Sequence, residues 1–183
     1  GNCYIMIKKT RAFICGISGH NLKKSEVSFL KKYKPWGIIL FSRNIKSINQ
    51  VQKLTGSIKK IFKNSNYPIL IDEEGGRVSR LRKFIDNSIF SAKYFGDLYS
   101  KDRKKFDIYF NVYVKQISYL LRLIGININT VPVLDLRRNN SHKIIGDRSY
   151  SNDKKMLSKI GDISIEKFHQ NKVGTVIKHL PGH

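Results

Sequence analysis

The sequence predicts an α/β protein in which helices cover a parallel sheet. Three observations predict it. Short continuous apolar runs of strand length recur along the 183 residues, the pattern of strands buried on both faces. Between them lie longer segments whose apolar residues return at helical spacing. Polar clusters follow the ends of the apolar runs, which is where a parallel sheet gathers its functional groups around one mouth.

The elements follow in order. "AFICGIS" (12–18) is a short apolar run ending in small residues and reads as a buried strand. Ser25 is placed to cap a short helix carrying Val27, Leu30 and Tyr33, with Pro35 beyond its end. "GIILF" (37–41) is a second buried strand. Ser47 and Gln50 form a capping-box pair, and Ile48, Val51, Leu54, Ile58 and Ile61 continue at helical spacing. "YPILID" (67–72) is the third strand, while residues 91–100 give no clear periodicity. A long stripe from Phe106 through Tyr113 and Ile117 to Ile124 predicts a helix, stopped by Gly125. "INTVPVLDL" (128–136) reads as the fourth strand, with Pro132 withholding one ladder donor. Asp153 caps a helix carrying Leu157, Ile160, Ile163 and Phe168, and "GTVIKH" (174–179) is the fifth strand.

About five strand–helix units therefore alternate, which fits an open doubly wound sheet or the first part of a (β/α)8 barrel. A complete barrel takes about 250 residues. The hydrophobic content of 40% suits a folded core, and no apolar run reaches the roughly 18 residues of a membrane span. Two cysteines, Cys3 and Cys15, are too few for a disulfide framework and read as buried, reduced thiols. The net charge of +22 raises the possibility of a polyanion-binding protein. Its lysines are spread over the whole length and no nucleic-acid module is legible, so a compositional bias is the preferred reading.

Three segments carry candidate chemistry. "DEEGGRVSR" (72–80) ends strand three. Gly75 and Gly76 allow a tight turn beside a ligand, Asp72 can accept bonds from vicinal hydroxyls and Arg80 can donate several. Its spacing matches neither a P-loop nor a dinucleotide fingerprint. Asp135 ends strand four, and its loop carries "GDRSY" (146–150). There Arg148 can hold a ligand oxygen while a carboxylate fixes its fork. Asp147 is one candidate for that carboxylate; another acid is the alternative. Tyr150 can pack beneath the loop. Lys178 and His179 end strand five in "KHLPGH" (178–183), where Pro181 and Gly182 disfavour a helical His179–His183 metal pair. Arg43 and Asn44, after strand two, are further candidates for the same mouth.

Taken together, "GIILFSRNI", "PILIDEEGGRVSRL", "GININTVPVLDL", "IGDRSYSND" and "KHLPGH" resemble family 3 glycoside hydrolases in the family's own order. The resemblance leans to the bacterial β-N-acetylhexosaminidase branch of cell-wall recycling. It implies a (β/α)8 TIM-type barrel of which about five units are present. It implies retaining hydrolysis of terminal, non-reducing β-N-acetylglucosamine from muropeptides, in the cytoplasm, with no metal or organic cofactor. The positions matching its substrate-binding residues are Asp72, Arg80, Arg148, Lys178 and His179. Glu73 and Glu74 match binding and packing positions; adjacent side chains at a strand end point to opposite faces, so they do not replace a catalytic pair.

The implied nucleophilic aspartate and acid/base histidine fall after His183, so residues 1–183 are expected to be one incomplete domain, with a natural start at Met6. The isolated fragment is expected to be inactive and prone to aggregate, and the full-length product to be a monomer that binds no specific nucleic acid. The rival readings are a β-glucosidase-like member of the family and a non-catalytic sugar-binding remnant.

Overall fold

The computed structural model describes residues 3–7, 12–135 and 146–178. The chain divides into two compact units. One comprises Gly1–Ile71 and Leu121–Ile128, the other Asp72–Leu120 and Asn129–His183.

The first unit holds strands β1 (Cys3–Ile7), β2 (Ala12–Gly16), β3 (Gly37–Leu40) and β4 (Ile69–Ile71) and helices α1 (Lys24–Tyr33) and α2 (Ile48–Ile61). β2, β3 and β4 are parallel, with Ile14 opposite Gly37 and Ile38 opposite Ile69. Every residue of β3 and β4 is buried, as their unbroken apolar sequences require. β1 pairs antiparallel with β2, Cys3 facing Cys15; the apolar pattern around it gave no warning of this strand. The Cys15 side chain is buried.

α1 starts two residues earlier than a Ser25 cap allows. Lys23 is the N-cap, and the Glu26 carboxylate accepts from the Lys23 and Ser18 amides at 3.0 Å each. The carboxylate three residues into the helix thus holds the N-cap amide, in place of a hydroxyl cap. α2 starts as its capping box predicts: Ser47 Oγ accepts from the Gln50 amide at 3.2 Å and Gln50 Oε1 from the Lys46 amide at 2.7 Å. Val51, Leu54 and Ile58 are its buried face. Full burial of a side chain such as Ile58 or Ile69 stabilises by about 1.5–3 kcal/mol. Residues 126–128 run beside β4, where the Asn127 amide donates to Ile69 O at 3.1 Å and Asn127 Oδ1 accepts from the Ile69 amide at 2.9 Å.

The second unit holds α3 (Ala92–Lys101), residues 103–120 of α4 (Arg103–Leu123), α5 (Lys154–Gln170) and β6 (Gly174–Thr175). Residues 91–100, indeterminate from sequence, form α3, capped by Ser91 Oγ accepting from the Tyr94 amide at 3.1 Å. Its buried residues are Ala92, Phe95 and Gly96, and Phe95 joins an aromatic cluster. Phe95 meets Phe110 edge-on at 5.0 Å, and Phe110 stacks on Phe106 at 5.2 Å. α5 is capped by Asp153 as expected, with Oδ1 accepting from the Lys155 and Met156 amides.

The predicted strand 128–136 is shorter than expected. β5 is Ile128–Asn129, followed by an isolated parallel bridge between Val133 and Lys178. Pro132 lies between, and its missing N–H interrupts the ladder while its carbonyl accepts from the Lys178 amide at 3.1 Å. The strand predicted over 174–179 is reduced in the same way, to β6 and that bridge. With Val176 N donating to Asn129 O at 3.2 Å, residues 129–134 and 174–178 form the sheet segment of this unit. No helix among the described residues is long and apolar enough to cross a membrane.

Candidate active site: a charge-paired cluster at the strand ends

All described parts of the site belong to the second unit. It begins with Asp72, Glu73 and Glu74, which directly follow β4. Strand geometry sends alternate side chains to opposite sides, and the contacts follow that rule. Asp72 and Glu74 share one cation: Lys178 Nζ lies 3.2 Å from Asp72 Oδ1 and 2.5 Å from Glu74 Oε2. Glu73 turns the other way, into its own loop.

Glu73 is 1% exposed and fully engaged. Its Oε1 accepts from Ser79 Oγ at 3.0 Å and from the amides of Arg80 and Leu81 at 2.8 and 3.0 Å. Its Oε2 accepts from Asn87 Nδ2 at 3.2 Å. Burial raises its carboxyl above the ordinary 4.5, more than these bonds lower it. Its main chain is held as well. Asn129 Oδ1 accepts from the Glu73 amide and Asn129 Nδ2 donates to the Glu73 carbonyl, both at 2.9 Å. Glu73 therefore organises the loop that carries Arg80.

Gly75 adopts φ +81°, and a Cβ there would lie 2.2 Å from Phe90 O. Only glycine lets the backbone make this turn at that separation. The turn closes through the Glu74 amide on Val78 O at 3.0 Å.

Arg148 sits in a 3-10 turn, Gly146–Arg148. Its Nε and Nη2 grip Glu74 Oε1 and Oε2 at 2.9 and 3.0 Å, a two-bond fork. That bond, followed by opposing burial and by the charges of Glu74, Asp72 and Asp135, raises the guanidinium above its ordinary value. Asp147 points elsewhere and pairs with Arg77 at 2.8 Å. The acid that fixes Arg148 is thus Glu74. Tyr150 is buried behind the turn, and burial pushes its phenol up to about 12.

Arg80 Nη2 lies 3.6 Å from Asp72 Oδ2. Asp72 Oδ1 also accepts from Thr130 Oγ1, which in turn lies 3.1 Å from Lys178 Nζ. Burial raises the Asp72 carboxyl, but Lys178, Thr130 and Arg80 together outweigh it and hold the group below its ordinary 3.8. The cluster so presents two fixed carboxylates and three cations, with Lys178 and Arg148 mostly buried and Asp72 partly open. Such a set can accept from and donate to vicinal hydroxyls, each of which both donates and accepts.

Asp72, Arg80, Arg148 and Lys178 are thus brought together. His179 and His183 lie outside the described residues. Glu74 and Thr130 are the partners that sequence reasoning did not place at the centre. Only the period-2 rule, applied to Asp72 and Glu74 together, signalled the first. Arg43 and Asn44 belong to the first unit and are committed to its main chain. Arg43 Nε donates to Ile17 O at 3.0 Å, and Asn44 Nδ2 to Ile17 O and Gly19 O at 2.8 Å each. Among the described residues no group of His, Cys, Asp and Glu is arranged to hold a metal ion.

The chain is 29% identical over 170 residues to a beta-hexosaminidase of Xanthomonas campestris pv. campestris strain B100, covering 93% of this chain and 50% of that protein. The structure is similar to native NagZ of Neisseria gonorrhoeae, with a TM-score of 0.80, 27% identity, and coverage of 93% of this chain and 49% of that one. The same enzyme in complex with N-trifluoroacetyl-D-glucosamine matches with a TM-score of 0.78. This chain thus has the α/β fold of those barrel enzymes over part of their length, and spans about half the length of the curated relatives it matches. Residues 6–183 match the glycosyl hydrolase family 3 N terminal domain, and the chain belongs to that family.

Proposed function

We propose that this chain supplies the sugar-binding side of a retaining glycoside hydrolase that releases terminal, non-reducing β-N-acetylglucosamine. The substrate of this reading is a peptidoglycan-derived muropeptide, and the setting is cell-wall recycling in the cytoplasm. The observation that carries it is the meeting of Asp72, Glu74, Arg148 and Lys178 in one ion-paired cluster, in a chain of this family. Asp72 accepts from sugar hydroxyls. Lys178 and Arg148, held by Glu74, donate to the same ring, and Arg80 closes the set. His179 follows Lys178 directly and is assigned to the same subsite.

The bond-breaking groups are assigned to sequence following His183. There an aspartate attacks the anomeric carbon and displaces the aglycone, whose oxygen takes a proton from a histidine. Water then releases the sugar from the enzyme.

The test uses a polypeptide extended past His183. It should hydrolyse an aryl β-N-acetylglucosaminide faster than the matching glucoside. Arg148→Ala should lower kcat/KM at least about tenfold, the scale of a lost charged hydrogen bond. Preference for the glucoside would replace this reading with a β-glucosidase. Unchanged kinetics in Arg148→Ala would remove that residue from the subsite.

A further inference from the structure

The first unit carries a second concave feature with a different chemistry. A groove of about 540 Å³ is lined by residues of both α1 and α2 and by segments flanking them. Lys31 of α1, Lys53 and Lys60 of α2, and Lys63 just beyond it line this groove. The lining contains no Asp or Glu. Among the described residues none of these four ammonium groups takes part in an ion pair. The nearest acid in sequence, Glu26, is occupied at the N-terminus of α1 by the Ser18 and Lys23 amides. Between the lysines the lining carries Leu22, Val27 and Ile61 over the buried Leu54, with Asn21 and Ser57 as its polar members.

Charge and shape narrow the occupant. Four like charges without a counterion repel one another, so a negatively charged partner is favoured over a neutral one. The lining contains no arginine and no aromatic ring, so it offers neither a fork for phosphates nor a platform for bases. A concave aliphatic strip does not match a flat lipid surface. An amphipathic helix with acidic flanks matches all of this. Its leucine-type residues cover the strip, and its carboxylates reach the surrounding lysines. We infer that the α1–α2 groove is a docking site for an acidic amphipathic helix of a partner protein. It is independent of the sugar cluster, all of whose described residues lie in the other unit.

The test is fluorescence anisotropy on the same polypeptide extended past His183. The probe is a labelled peptide of about 18 residues with leucines at helical spacing and glutamates elsewhere. Binding should weaken with salt, and Lys53→Glu with Lys60→Glu should reduce affinity at least about tenfold. Both lysines are exposed, so circular dichroism should be unchanged in that variant. The matched pair Lys104→Glu and Lys115→Glu, exposed in the second unit, should leave binding intact. Three results would each overturn the inference: equal binding of polyglutamate without leucines, stronger binding of duplex DNA than of the peptide, or equal loss in both lysine pairs. The last would mean that diffuse charge, not this groove, binds the probe.

Discussion

At the residue scale the decisive pair is Glu73 and Asp72, neighbours with opposite proton behaviour. Burial raises Glu73, so its ionised form is disfavoured in the folded state. Its contribution to stability is therefore greatest below the unfolded value near 4.5 and falls as pH rises through the higher folded value. Asp72 is held low, so its contribution is present above 3.8 and lost as pH falls through the lower folded value. We expect Glu73→Gln to flatten the decline on the upper side, read as urea midpoints between pH 4 and 7 at fixed ionic strength. A decline that survives in that variant would assign the step to another group. Glu73→Ala leaves the amides of Arg80 and Leu81 without their acceptor. Each such loss costs about 1–3 kcal/mol, so this variant should be strongly destabilised.

What the sequence disclosed at this scale depended on distance along the chain. Asp72 and Lys178 were legible because each ends a predicted strand, and Arg80 and Arg148 because they lie on the loops that follow such ends. Their partners were not. Glu74 rather than Asp147 fixes Arg148, across 74 positions of sequence, and no local pattern encodes that choice. Thr130 looked like an ordinary strand residue until Lys178 and Asp72 were placed around it.

At the element scale, local signals succeeded where one segment carries both partners. The Ser47–Gln50 box, the Asp153 cap and the stripe of α4 were all read directly. α3 was missed because its apolar positions, Ala92, Tyr94, Phe95, Leu98 and Tyr99, are interleaved with Lys93, Asp97 and Ser100, which blur the period. β5 was overextended because its apolar run continues past Pro132, where the ladder cannot. Two glycines make a paired prediction. A Cβ on Gly96 of α3 would lie 1.7 Å from Tyr150 O, whereas one on Gly56 of α2 meets nothing within 4 Å. Gly96→Ala must push α3 off the turn that carries Arg148, at a cost of about 1–3 kcal/mol or more. Gly56→Ala should stabilise by about 0.5–1 kcal/mol, because alanine loses less backbone entropy in a helix. Denaturant titration of both variants checks the sign of each.

At the scale of the whole molecule, charge dominates. A net +22 on 183 residues opposes compaction through mutual repulsion that salt screens, with a Debye length of about 10 Å at 0.1 M. The thermal midpoint should therefore rise between about 0.02 and 0.3 M sodium chloride. A flat or falling midpoint would mean that local ion pairs such as Lys178 with Asp72 and Glu74 outweigh the global field. The fold class was legible at this scale because strand and helix periods alternate. The antiparallel β1 was not, since its pairing with β2 is not encoded in its own short run.

The amide bracket between Asn129 and Glu73 has a consequence for exchange with heavy water. Glu73 stands two residues beyond β4, where a strand's protons usually trade rapidly with solvent. Here its N–H is buried and bonded to Asn129 Oδ1, so a side chain does the work of a neighbouring strand. The Glu73 proton should therefore persist as long as those inside β4. In Asn129→Ala it should be replaced early, marking the point at which the loop after β4 begins to open.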